Sequence, residues 1–231
     1  MKKCLTLTNN PSSTILGHEP GNHNPDLIRI LLDNRDPLEV PISTWVDFGL
    51  KDGLPLIPEV VLELEEVAAR SRWEVRALSY ISFKPRTKSE VIRYLTRKGA
   101  TVEAAESVTE KLLEQGYLSD KDYAEMFVQS YVKRASRKEI AWRLGQRGVR
   151  QEDVSGVLGD PEVYEGELEA AILIARKALR SGKQSDMQTI RQRIWNRLQR
   201  KGFAAETART AMNRVMSEIE SIAHPEFLDN D

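Results

Sequence analysis

Cysteine is nearly missing from this chain, with Cys4 the single example in 231 residues. That excludes an internal disulfide and a zinc site built on cysteines. One thiol without a secretory pattern fits a reducing, cytosolic setting. Histidine is scarce as well: His18, His23 and His224 stand near the chain ends, and their spacing with Cys4 does not suit a metal site. No stretch approaches the roughly 18 consecutive apolar residues of a membrane span. The opening MKKCLTLTNN has two lysines but no apolar run behind them, so it does not read as a signal peptide. Charge of either sign is not in excess, since 34 basic residues meet 35 acidic ones. The phrases GxxxxGK[ST], GxGxxG and GxSxG are absent. Glutamates are abundant, but nothing sets a pair of them apart as acid and base. The expectation is a protein that is not an enzyme and uses no cofactor or metal.

What is present is helix, in repeating form. Residues 1–25 are rich in Asn, Pro, Ser, Gly and His and read as a disordered tail. Residues 26–72 read as a small β-hairpin followed by a helix. "LIRILL" and "LEVPISTWV" carry the β-branched and aromatic residues, "DNRDP" makes a turn, and Pro41 marks an edge or a break. "LKDGLP" is another turn, and Pro58 suits the first position of a long helix. From there to residue 222 apolar residues recur at three- and four-residue intervals, as in Tyr123, Phe127, Tyr131 and in Ile190, Ile194, Leu198. Thr87 or Ser89, and Ser119, are in place to cap helix starts. The remaining segment, 223–231, reads as a tail.

The helical part is written three times. With Gly99, Gly148 and Gly202 aligned, Leu95, Leu144 and Leu198 stand four residues earlier, and Val91, Ile140 and Ile194 eight earlier. Lys98, Arg147 and Lys201 immediately precede the glycines. The period leaves room for three helices per unit, with the glycine closing the second in a left-handed cap and the cation at the negative end of the helix dipole. The expected units are 73–120, 121–160 and 161–222. Such units gain stability by stacking on neighbours, giving a mainly α fold of three tandem three-helix, helix-turn-helix-like repeats in an elongated curved array.

Basic residues gather at one phase of the repeat. Lys84, Arg86, Lys88, Arg93, Arg97 and Lys98 meet only Glu90. Lys133, Arg134, Arg137, Lys138, Arg143, Arg147 and Arg150 meet only Glu139. Arg191, Arg193, Arg197, Arg200 and Lys201 belong to a third run, with Arg176, Lys177, Arg180 and Lys183, that meets only Asp186. Any single run can be a solvated helix face. Three at one phase predict a cationic track for a polyanionic backbone. Acid concentrates elsewhere, on 59–66, 103–114 and 162–169, where it complements helix starts or meets a basic protein partner. Residues 112–128, "LLEQGYLSDKDYAEMFV", read as a tight helix–helix joint: Gly116 ends one helix, Tyr117 and Leu118 turn inward, Ser119 or Asp120 caps the next, and Tyr123 and Phe127 follow at core spacing. Trp142 and Trp195 read as core, with base stacking the lesser alternative.

Residues 76–132 resemble the RecX family of bacterial proteins that regulate the RecA recombinase. The likeness rests on "RALSYIS", on Ser89-Glu90 followed by Leu95-Thr-Arg-Lys98-Gly99, and above all on "GYLSDKDYAEMFV" from Gly116 to Val128. "IAWRLGQRGVRQEDV" (140–154) is similar to the family's second Leu-x-x-(Lys/Arg)-Gly element. "KRASRKE" (133–139) stands where the family often has a glycine-containing basic turn. The resemblance implies a non-enzymatic, monomeric, cytoplasmic regulator of the SOS response and DNA repair. Its implied partners are RecA, bound in the groove of its filament, and the single-stranded DNA within that filament, with weaker direct binding to DNA and no membrane. Inhibition of strand exchange, ATP hydrolysis and co-protease action is the implied effect. A helix-turn-helix regulator reading duplex DNA is the alternative.

Overall fold

The computed structural model describes residues 13–21, 24–180 and 186–223, with side chains through residue 219. The order of elements is β1 (Ser13–Pro20), β2 (Leu27–Leu32), β3 (Leu38–Pro41), α1 (Ile42–Asp47), β4 (Pro55–Leu56), α2 (Pro58–Ser82), α3 (Lys88–Arg97), α4 (Val102–Glu114), α5 (Asp120–Tyr131), α6 (Arg137–Gln146), α7 (Gln151–Leu158), α8 (Pro161–Arg180), α9 (Met187–Arg200) and α10 (Ala205–Ala223). Two compact units are present: Met1–Lys84 with Val91–Tyr117, and Pro85–Glu90 with Leu118–Asp231.

In the first unit an antiparallel sheet of order β3-β2-β1-β4 packs on α2. Its core holds Ile15, Ile30, Val40, Leu56, Val61 and Leu64, all fully buried. Two expectations change here. Residues 13–20 are a central strand rather than part of a disordered tail, because pairing with β2 and β4 and burial of Ile15 outweigh a polar composition. The hairpin expected over 27–50 is therefore half of a four-stranded sheet, with β3 at its edge and ending at Pro41. Pro58 opens α2 as expected, and this helix runs unbroken past residue 72. Its later half meets α4, where Lys111 Nζ reaches Glu74 at 2.8 Å, and Tyr80 stacks on Tyr94 of α3 at 3.9 Å.

The second unit contains two three-helix domains, α5–α7 and α8–α10, each with its own core. The repeated cadence is their packing code. Leu95, Leu144 and Leu198, and Val91, Ile140 and Ile194, are all fully buried. The repeated glycines are left-handed, with φ of 100°, 80° and 81° at Gly99, Gly148 and Gly202. The residue after each glycine returns its N–H to the cadence leucine: Ala100 to Leu95, Val149 to Leu144 and Phe203 to Leu198, at 3.1–3.2 Å. Each glycine N–H bonds the carbonyl three residues back. This pair of bonds is the Schellman cap, closed by the apolar contact between the residue after the glycine and the leucine.

Two residues expected to point inward face solvent. Tyr117 is 61% exposed, because Leu118 takes the core position and adjacent residues in extended backbone point opposite ways. Trp142 is 65% exposed, because α6 packs through Ile140 and Leu144, and a residue two positions from each lies on the far side of the helix. Trp195 does pack against the third core.

Candidate functional site

The second helices of successive domains meet end to end. Thr87 and Ser136 cap α3 and α6, each accepting the N–H of the glutamate three residues on, Glu90 or Glu139, at 3.2 Å. The same hydroxyls donate across the domain boundary. Thr87 Oγ1 bonds the Arg147 carbonyl at the end of α6, and Ser136 Oγ bonds the Lys201 carbonyl at the end of α9, both at 2.7 Å. The next amide is met by an acid in each case: Lys88 N–H donates to Asp120 Oδ1 at 2.7 Å, and Arg137 N–H to Glu167 Oε1 at 2.9 Å. The negative end of one helix thus faces the positive end of the previous one, and orphan groups at both ends are satisfied.

The two joints differ in how they use their cations. At the first, Arg147 sits 3.3 Å from Glu90, donates to the Tyr123 hydroxyl at 2.7 Å and lies over the Phe127 ring. Burial raises the Tyr123 phenol pKa despite the opposing pull of the Arg147 charge. At the second, the aligned cation is Lys201, and the aligned acid, Glu139, is held by Arg143 at 2.6 Å. Arg137 binds Glu167, only 2% exposed, through Nε at 2.8 Å and lies 3.5 Å above the Tyr164 ring. Burial opposes the Arg137 charge, yet the hydrogen bonds to Glu167 and Tyr164 outweigh it and raise its pKa.

The candidate cations therefore divide. Arg137 and Arg147 tie α6 to Glu167 and Glu90, Arg143 pairs with Glu139 within α6, and Lys133 and Arg150 form surface pairs with Glu169 and Asp153. Among the described residues Arg134, Lys138, Arg197, Arg200 and Lys201 have no carboxylate partner, and all are exposed. Arg191 is exposed and Arg193 half-buried on α9. Lys84, Arg93, Arg97 and Lys98 are exposed in the first unit, whereas Arg86 and Lys88 are half-buried in the second. The structural glycines Gly99, Gly116, Gly148 and Gly202 all have positive φ. Asp120, named only as a cap in the sequence, is the acceptor at the first joint, while Ser119 accepts the N–H of Asp122 and caps α5. Glu167 belongs to the acidic run 162–169, read there as complementing a helix start or meeting a partner; the signal for its place at the joint is its position on the inward face of α8, between Val163 and Ala170. Cys4, His23, Lys183 and His224 lie outside the described residues. Among the described residues no cluster of His, Cys, Asp or Glu is suited to hold a metal, and no helix is long and apolar enough to cross a membrane.

What this arrangement offers is a basic helix. α9 carries Arg191, Arg193, Arg197 and Arg200 with no acidic residue between Met187 and Arg200, and Lys201 follows at its cap. Gln192, Asn196 and Gln199 are exposed among them.

Two family models match the helical domains in their order along the chain. One describes the first three-helix domain of RecX and covers residues 74–112, and the other describes its third three-helix domain and covers 165–212. The chain is similar to RecX in its first and third helical domains. Among RecX relatives, regulatory protein RecX of Lactobacillus johnsonii is 29% identical over 195 residues, 83% of this chain and 70% of the relative. That of Bacillus pumilus is 27% identical over 209 residues, covering 89% and 79%. A crystal structure of regulatory protein RecX superposes with a TM-score of 0.75 over 87% of this chain and 99% of that one, at 22% identity. RecX from Lactobacillus salivarius superposes at 0.60 over 64% and 97%, at 21% identity. The structural likeness establishes the RecX fold.

Proposed function

We propose that this RecX-like chain binds filaments of the RecA recombinase on single-stranded DNA and restrains their strand exchange, ATP hydrolysis and co-protease action, in DNA repair and the SOS response. The observation that carries the nucleic-acid half is α9, whose arginines are uninterrupted by acid and whose cap adds Lys201. A surface of this kind gains affinity by releasing counterions from phosphates. The balanced charge of the whole chain, −1, favours binding where protein contacts add to phosphate contacts over coating of bare DNA. The acidic faces of α2 and α4 offer a place for those protein contacts.

The test is RecA-dependent ATP hydrolysis on single-stranded DNA with the protein added below stoichiometry. The expected result is a progressive fall in rate with shortening of filaments. An unchanged rate and unchanged filament length would refute the proposal. The mix of Arg, Gln and Asn on α9 also favours a second reading, insertion into a duplex major groove, where these side chains reach base edges. Nuclease footprinting on duplex DNA distinguishes it, since only base readout leaves protection at defined sequences.

A further inference from the structure

The indole of Trp142 is largely exposed and stands outside the core of its domain. Its face of α6 carries Lys138 one turn before and Gly145 and Gln146 one turn after, all exposed. Gly145 is unexplained by backbone or packing. It is not among the positive-φ glycines, and a Cβ there would meet nothing within 4 Å. Glycine is the poorest helix former after proline, so its place inside α6 works against the helix. Its effect is to place no side chain at position 145, one turn after the indole. On the other side, Lys138 leads to α9: a Cβ on Gly202 would stand 3.5 Å from Lys138 Cβ and Cδ, so the lysine stem runs beside the helix end that carries Arg200 and Lys201. None of these three cations has a carboxylate partner among the described residues. The aligned positions on α3 and α9 are Arg93 and Asn196, so α6 alone places an aromatic ring at this phase.

We propose that Trp142 is a stacking platform for one base of a single-stranded nucleic acid, with Lys138, Arg200 and Lys201 holding neighbouring phosphates. This rests on the nucleic-acid half of the function proposed above and adds the base contact to it. Every base presents a flat π-face, so an indole in a cationic setting binds strands with little sequence preference. Along α6 the ring is flanked by Lys138, by Glu139, whose charge Arg143 answers, and by Gly145 and Gln146; a flank without apolar residues suits a base better than the apolar centre of a protein interface.

The test is titration of labelled oligo(dT), and of an abasic strand of equal length, followed by fluorescence anisotropy. Trp142→Ala should weaken oligo(dT) binding about tenfold and leave the abasic strand unaffected, while Trp142→Phe keeps most of the affinity. Gly145→Gln places a side chain at that position and favours the helix, so it should lower oligo(dT) affinity without lowering the melting temperature. Arg197, Arg200 and Lys201 changed together to Ala should weaken both strands. If that triple variant loses binding and Trp142→Ala does not, phosphate contact stands and stacking is wrong. If the unaltered protein binds neither strand, the nucleic-acid reading falls and this proposal with it. If Trp142→Ala spares oligo(dT) yet weakens capture by a protein–DNA filament, the indole contacts protein, and the stacking proposal is refuted.

Discussion

At residue 148 two demands coincide. The backbone is left-handed, and a Cβ would collide with Ser89 Cβ and Oγ across the first joint. Gly99 meets only the first demand, since nothing lies within 4 Å of a Cβ built there. Gly99→Ala should therefore cost about 1–2 kcal/mol, the penalty for a side chain in left-handed backbone. Gly148→Ala should cost a further ~1–3 kcal/mol from overpacking, which Ser89→Gly in the same chain should recover. Urea unfolding of the unaltered protein and the three variants measures this, and equal losses at 99 and 148 would show that Ser89 gives way freely. The cap itself was legible from sequence, because a Schellman cap is written within a few residues. The collision was not, because residue 89 comes from the preceding domain.

Helices meet through caps that serve twice. Thr87 and Ser136 each satisfy their own helix and the carbonyl end of the next domain's second helix. At the first joint Asp120 completes the contact, and its carboxyl pKa is raised by burial, against the pull of the Lys88 N–H, with Asp153 repulsion adding to the rise. A raised carboxyl pKa means that the native state favours the protonated form. Its stabilising contribution is whole in acid, below the ordinary carboxylate range, and fades as pH climbs through the folded-state pKa. Asp120→Asn keeps the acceptor oxygen for Lys88 and removes the charge. Its melting temperature relative to the unaltered protein should therefore rise between pH 3 and pH 7. A difference that is flat or falls over that range would refute this account. Sequence periodicity located the elements but ranked their faces poorly at one point. Ile140 and Leu144 already defined the inner side of α6, and Trp142 lies opposite them; the size and hydrophobicity of an indole pointed inward where helical phase pointed outward.

Over the whole molecule, charge is balanced in number and unbalanced in use. The cations of α6 are largely paired inside the second unit, whereas those at the C-terminal end of α9 face solvent without acid partners among the described residues. Changing Arg197, Arg200 and Lys201 to Ala should flatten the dependence of log K on log salt for single-stranded DNA by about 2, or ~0.7 for each phosphate no longer neutralised. Changing Arg143 and Arg150 should leave that slope nearly unaltered, since both already answer neighbouring carboxylates. Binding isotherms at several salt concentrations decide between them. A slope carried equally by both sets would mean that pairing within the protein does not govern which cations meet phosphate.

The leucine-to-glycine cadence by itself determined three helical domains, their buried positions and their left-handed caps. Those are short-range matters, settled by helical periodicity and by the one residue type that tolerates positive φ. Tertiary structure alone decided that residues 13–20 are a strand, since a strand's stability lies in partners distant along the chain. It also decided which arginines are structural. Arg147 and Lys201 hold the same place in the repeat, yet one faces Glu90 and a tyrosine hydroxyl, while for the other the aligned glutamate is already held by Arg143. A cation's availability depends on which acids the fold brings within reach, and that is a property of three-dimensional neighbours.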